Sequence, residues 1–251
     1  MKKALLIGIN YRGTNSELNG CINDVKNVKQ ILESKYNCTN IKIITDDTID
    51  KPRKNSILRN IEWLLKDQKR GDKLFFQYSG HGSWVYDING DESDGKDECL
   101  VPLDYDRVGM ITDDLLKIVL INKIKPGVSL TAIIDACHSG TICDLRHTCR
   151  YQNKDNYEIS ENEKYQNIDN KIITISGCLD TQTSADAYIS RKFQGAMTYY
   201  LLKVLNDHKY DVTYRKFLKD LHELLKRNNY TQRPVLSSCS KINLDDIFVL
   251  L

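Results

Sequence analysis

Short apolar runs of strand length alternate with amphipathic helical segments along nearly all of this 251-residue chain. That rhythm narrows the folds open to it. Residues 3–9 read as a first apolar strand, and residues 20–35 carry Cys21, Val25, Val28, Ile31 and Leu32 at helical spacing. Residues 41–45 predict a second strand, and residues 53–69 a second helix with Ile57, Ile61, Leu64 and Leu65 on one face. Strands follow at 73–79 and 128–135, with a short helix over 112–121 that Thr112 can cap ahead of two aspartates. A further strand is expected at 171–176, helices at 192–207 and 213–227, and a terminal strand at 245–251. Strands separated by helices require crossover connections. The expected fold class is therefore α/β, with a mostly parallel central sheet covered by helices on both faces.

Hydrophobic residues at 41% and charged residues at 28% give a globular composition with a sizeable core. A net charge of +2 supplies no global basic field, which argues against a nucleic-acid partner. No apolar stretch approaches the ~20 residues needed to span a bilayer, so no membrane partner is expected. The opening Met-Lys-Lys-Ala-Leu-Leu-Ile-Gly-Ile-Asn has too short an apolar part for a signal peptide, and no small-residue cleavage site follows. With the first strand starting almost at Met1, no N-terminal prodomain is expected. The eight cysteines include no pair with a two-residue gap, so reduced thiols and a cytoplasmic location, with the nucleus as a further compartment, are expected. Two stretches break the rhythm. Residues 87–114 hold ten acidic residues against Lys96 and Arg107, and residues 145–170 form a long polar segment that reads as a linker loop.

In an open α/β sheet, sites lie just past the carboxyl ends of strands. Two ends stand out. One is Tyr78-Ser79-Gly80-His81-Gly82; the other is Asp135-Ala136-Cys137-His138-Ser139-Gly140. A lone cysteine after a strand is usually a small buried hydrophobe, and a lone histidine is usually structural. Both at strand ends, each flanked by small residues, point instead to a Cys–His dyad, in which the imidazole draws the proton from the thiol. Backbone N–H groups at Gly82 and Cys137 could form an oxyanion hole. His138 should point away from its neighbour, and His147, His208 and His222 read as solvated.

These motifs resemble those of the metacaspases, in the caspase-like clan of cysteine peptidases. The matching pieces run in order along the chain: residues 3–11, Leu18-Asn19-Gly20-Cys21-Ile22-Asn23-Asp24-Val25, the two strand ends above, Asp97-Glu98-Cys99-Leu100-Val101-Pro102, Ser176-Gly177-Cys178, Gln182-Thr183-Ser184-Ala185-Asp186-Ala187 and Gly195-Ala196-Met197-Thr198. His81 precedes Cys137 by 56 residues, near the caspase spacing. The caspase signature has Gln where Asp135 stands here. An aspartate two places before the nucleophile would repel an acidic P1 side chain and attract Arg or Lys. The resemblance implies an acidic S1 pocket formed by Cys21, Asp24, Ser79 and Asp135. It implies a caspase-like α/β/α sandwich in one domain, with a larger part over residues 1–144, the linker over 145–170, and a smaller part over 171–251. It also implies a monomeric type I-like catalytic core acting on protein or peptide substrates with a basic P1 residue.

For the acidic stretch, Asp87, Asn89, Asp91 and Glu98 occupy four EF-hand positions, but Glu92 replaces the required glycine and no EF helices flank it. The resemblance offers a better reading: activating, non-catalytic Ca²⁺ held by Asp97, Asp113, Asp114 and Asp144. In the linker, Arg146, Arg150, Lys154 and Lys164 are candidate self-cleavage points for an enzyme that cuts after basic residues. The competing reading is a caspase-fold scaffold or aggregate-binding protein in which proteolysis is incidental.

Overall fold

The computed structural model describes the chain except for residues 91, 93–94, 141, 166–169, 178–185 and 190–191. Along the chain come β1 (Lys2–Gly8), α1 (Cys21–Tyr36), β2 (Asn40–Thr45), α2 (Lys54–Leu65) and β3 (Lys73–Ser79). A small three-stranded sheet follows, made of β4 (Gly82–Tyr86), β5 (Lys96–Leu100) and β6 (Ile111–Thr112), with the one-turn helix α3 (Tyr105–Val108) inside it. Next are α4 (Asp113–Val119), β7 (Ser129–Asp135), β8 (His147–Asn153), β9 (Asn156–Glu161) and β10 (Ile172–Ser176). The chain then runs through the hairpin β11 (Asp186–Ile189) and β12 (Lys192–Gly195), α5 (Ala196–Asp207), α6 (Tyr214–Arg227) and β13 (Val235–Ser238).

The main sheet has eight strands in the order β2-β1-β3-β7-β10-β13-β8-β9. The first five pair in parallel, and β13, β8 and β9 add antiparallel. The central strands are buried on both faces, which explains their unbroken apolar runs. Ala4, Leu6, Phe75 and Ile133 face α1, α5 and α6, while Leu5, Ile7, Phe76 and Ile134 face α2 and α4. Thr112 caps α4 through its hydroxyl, which accepts from the Leu115 N–H, as its sequence position predicts.

Several segments differ from the sequence expectation, which holds no strand at β4, β5 or β11. Residues 147–161 form a hairpin that extends the main sheet, where a loop is expected. Alternation there turns Cys149 and Tyr151 inward, but edge strand β9 is exposed except at Tyr157, and its two apolar side chains, Tyr157 and Ile159, make too weak a pattern to signal a strand. Residues 192–195 form β12 rather than the start of a helix, and β13 is an additional core strand. Residues 245–251 form no strand beyond one bridge from Ile247 to Thr213. Their apolar side chains fill the core instead, with Phe248 packed on Tyr214 and Phe217. No described helix is long and apolar enough to cross a membrane.

Phe75 is fully buried between the sheet and the α1/α5 layer. Phe75→Ala is expected to cost about 3–5 kcal/mol in urea unfolding monitored by circular dichroism. A cost below about 1 kcal/mol would contradict this packing.

Candidate active site

Parallel pairing aligns Gly8, Ser79 and Asp135 in one row at the carboxyl edge of the sheet. The chain leaves this row twice, toward His81 from β3 and toward Cys137 from β7. The two exits touch. A Cβ added to Gly82 would lie 1.8 Å from the carbonyl oxygen of Cys137, so only glycine permits this approach. The Cys137 turn is strained, since His138 holds a φ of 49° in the left-handed region. The Ser139 hydroxyl donates to the Ala136 carbonyl at 2.9 Å and closes that turn.

No disulfide joins the described cysteines, and among them only Cys137 is not buried. Burial pushes Cys99, Cys143 and Cys239 up to about 12 and Cys149 up to about 11, which leaves those thiols inert. Exposure and position together single out Cys137.

The ring of His81 is held from several sides. Its Nε2 lies 2.7 Å from the carbonyl oxygen of Ser16. With the N–H on Nε2 donating there, the lone pair resides on Nδ1, which becomes the basic nitrogen. The Tyr11 ring packs on the imidazole at 4.6 Å between centroids. The His81 N–H donates to the Tyr11 hydroxyl at 2.9 Å, and the Tyr78 hydroxyl donates to the His81 carbonyl at 2.8 Å. Both phenols are buried, and that burial raises their pKa, so they stay neutral donors. Sequence reasoning found no third orienting side chain. The orienting group is a backbone carbonyl, and no residue type announces one.

The four expected S1 residues gather on the face that carries α1 and α5. Cys21 and Asp24 come from the first turns of α1, and Ser79 and Asp135 are register neighbours. All four are buried. Both carboxylates close on Gly195, because a Cβ there would lie 2.3 Å from Asp135 Oδ2 and 2.6 Å from Asp24 Oδ2. Asp24 accepts from the Gly195 N–H at 2.9 Å. Asp135 Oδ2 accepts from the Thr198 N–H and the Thr198 hydroxyl, each at 2.8 Å. The amino end of α5, whose orphan N–H groups attract negative charge, thus holds the two buried carboxyl groups side by side. The Ser79 hydroxyl accepts from the Gln77 amide at 3.3 Å.

Of the four expected calcium ligands, Asp113 and Asp144 meet, and they do so with Glu92. One carboxylate oxygen from each of the three lies within 4.8 Å of the others. Asp97 lies on β5 and Asp114 on the first turn of α4, and neither belongs to this trio among the described residues. The Asp114 carboxylate accepts instead from the Asn89 amide at 2.7 Å. Burial pushes Asp113 up to about 7, with the Glu92 charge adding to the effect. Crowded, buried carboxylates of this kind fit a hard cation that takes oxygen ligands. Glu92 carries no sequence signal as a ligand, since in an EF-hand register it stands where glycine is required; Asp91, in the same register, lies outside the described residues. So do Cys178 and residues 182–185 of the motif set.

The basic residues of the linker are spread over the hairpin. Arg150 sits within paired β8, and Lys154 occupies the tight β8–β9 turn with a φ of 43°. Arg146 is bridged to Glu161 at 2.6 Å. Lys164 lies in an exposed turn after β9. Of the other histidines, His208 pairs with Asp220, while His222 is partly buried and packs on Tyr151 rather than being solvated.

The eight-stranded sheet and the cysteine and histidine at adjoining strand ends define a caspase-like cysteine peptidase. Caspase-1 from Spodoptera frugiperda shares the fold, with a TM-score of 0.56 at 11% identity over 95% of this chain and 86% of that one. A crystal structure of a Geobacter sulfurreducens protein aligns with a TM-score of 0.69 at 25% identity, over 98% of this chain and 97% of that one. Residues 2–146 match the metacaspase peptidase C14 domain. The chain is 35% identical to Metacaspase-1 of Meyerozyma guilliermondii, over 99% of its own length and 72% of that protein. It is 34% identical to Metacaspase-1 of Mycosarcoma maydis, over 99% and 73%. The chain belongs to the metacaspase family of cysteine peptidases.

Gly82→Ala places a methyl group into the Cys137 carbonyl and should separate the two exits by roughly an ångström. Peptidase activity is expected to fall about 100-fold, with a KM change of no more than a few-fold. Wild-type turnover in this variant would contradict the contact.

Proposed function

We propose that this chain is a calcium-activated cysteine endopeptidase that cleaves after Arg or Lys, with Cys137 as nucleophile and His81 as general base and acid. The observation that carries the specificity is the convergence of the Asp24 and Asp135 carboxylates on one point beside the nucleophile turn. A guanidinium or ammonium between two such anions makes charge-assisted hydrogen bonds, whereas an acidic P1 side chain meets like charge.

In this mechanism His81 Nδ1 takes the Cys137 proton, and the thiolate attacks the scissile carbonyl. The Gly82 and Cys137 N–H groups stabilise the oxyanion, and His81 returns the proton to the leaving amine. A water, deprotonated by His81, then releases the acyl group. Ser16 and Tyr11 hold the imidazole in place throughout.

Asp113, Asp144 and Glu92 would hold Ca²⁺, with Asp97 and Asp114 as the further ligands that the family resemblance supplies. Bound Ca²⁺ supplies the charge compensation that lets the crowded carboxylates ionise together. Asp144 follows Cys137 by seven residues and adopts a left-handed φ of 46°, so order at this site reaches the nucleophile loop. Edge strand β9 exposes Glu158 and Glu161, which discourages edge pairing and fits a monomer.

Fluorogenic peptides with Arg, Lys or Asp at P1, assayed with Ca²⁺ and with chelator, test this reading. Cleavage after Arg or Lys is expected, with activity lost in chelator and with Asp135→Asn losing about 100-fold or more in kcat/KM, as expected when a charge partner is removed from a buried pair. Preference for Asp at P1, or full activity in chelator, would sink the corresponding half of the proposal.

Self-cleavage, by the same logic, should fall at Lys164. A peptidase binds an extended, accessible segment, and Arg150 and Lys154 are locked in the hairpin. Mass spectrometry of the intact chain after Ca²⁺ addition is expected to show a cut after Lys164. An uncut chain, or a first cut after Arg150, would refute this.

A further inference from the structure

A positive charge already stands among the acidic residues assigned above to calcium. The Lys117 ammonium lies 3.5 Å from Asp144 Oδ2 and 4.1 Å above the centroid of the Tyr165 ring. The Tyr165 hydroxyl donates to Glu92 Oε1 at 2.6 Å, so the ring beneath the ammonium is tied to the same cluster. Lys117 leaves α4 one turn after Asp113, which places both on one helix face. The Asp144 side chain is only 1% exposed and that of Lys117 19%, so their attraction is weakly screened.

The geometry is that of a placeholder. A dedicated structural ion pair closes to roughly 2.7–2.9 Å. At 3.5 Å, the Lys117 ammonium divides itself between a carboxylate and a ring face. One positive charge also falls short of balancing three carboxylates, whereas a divalent ion on the same oxygens does better. The two cations cannot share the space, because like charges at such range repel strongly when buried.

We propose that Lys117 is a tethered counter-cation: it compensates the Glu92–Asp113–Asp144 cluster in the cation-free protein and is expelled when Ca²⁺ binds. The proposal rests on the calcium reading above and adds its regulation. Calcium affinity is then lowered by the loss of the Lys117–Asp144 and Lys117–Tyr165 contacts, which raises the concentration at which the switch operates. The exchange also has two outlets. Asp144 belongs to the loop that follows Cys137, and Tyr165 adjoins Lys164, the residue proposed for self-cleavage.

The test is isothermal titration calorimetry with CaCl₂ on the full chain, in a Cys137→Ala background that prevents proteolysis. Lys117→Met, Lys117→Gln and Lys117→Arg are compared with the parent, and each melting temperature is recorded in chelator. Lys117→Met and Lys117→Gln are expected to bind Ca²⁺ roughly tenfold more tightly and to melt lower in chelator, with Lys117→Arg close to the parent. Unchanged or weaker affinity in the neutral variants, while the parent binds Ca²⁺, overturns the Lys117 proposal alone. No Ca²⁺ binding by any of the four proteins overturns the calcium reading and this proposal with it.

Discussion

Asp135 accepts two hydrogen bonds from Thr198, and on that buried anion several parts of the molecule depend. It ends β7, the central strand that delivers Cys137. It caps α5, whose first turn has no side-chain cap of its own. Through Gly195 it is brought against Asp24, in the first turn of α1. A carboxylate in such a place is costly to bury unless donors surround it. The amino end of α5 provides those donors and ties the late part of the chain to the early sheet. The same arrangement leaves two adjacent carboxyl groups next to the Cys137 turn, so the feature that stabilises the fold is also the one on which the proposed preference for a basic side chain rests.

The reactive pair follows the same economy of position. Parallel pairing aligns the ends of β3 and β7, and Gly82 lets the two exits approach until backbone touches backbone. His81 is fixed mainly through main-chain and phenol groups, with the Ser16 carbonyl setting its tautomer. The carboxylates proposed to hold Ca²⁺ sit one loop away, where Asp144 follows Cys137 and the Lys117 ammonium lies 3.5 Å from it.

Much of this was legible in the sequence for stated reasons. Core strands buried on both faces read as continuous apolar runs, so β1, β3, β7 and β10 stood out. The candidate dyad residues stood out because Gly80 and Gly82 bracket His81 after β3 and small residues flank Cys137 after β7. Asp24 and Asp135 were legible through family resemblance, and their convergence could be seen only once α1 and β7 were placed. The β8–β9 hairpin stayed hidden because an edge strand facing water has no need of apolar residues. The terminal segment misled in the opposite way, since Phe248 and Leu250 look like a strand and serve as core filler. Ser16 acts through its backbone, and Lys117 through a distance of 3.5 Å, neither of which a string of letters encodes.

The central claim is that Cys137 is the activated thiol and that the paired aspartates beside it select a basic residue. The most direct measurement is covalent labelling of the Ca²⁺-loaded protein with peptidyl electrophiles that carry Arg or Asp at P1, followed by peptide mapping. The account predicts one adduct per chain, on Cys137, formed much faster by the Arg reagent and abolished in Cys137→Ala. Modification of a different cysteine, or faster labelling by the Asp reagent, would contradict it.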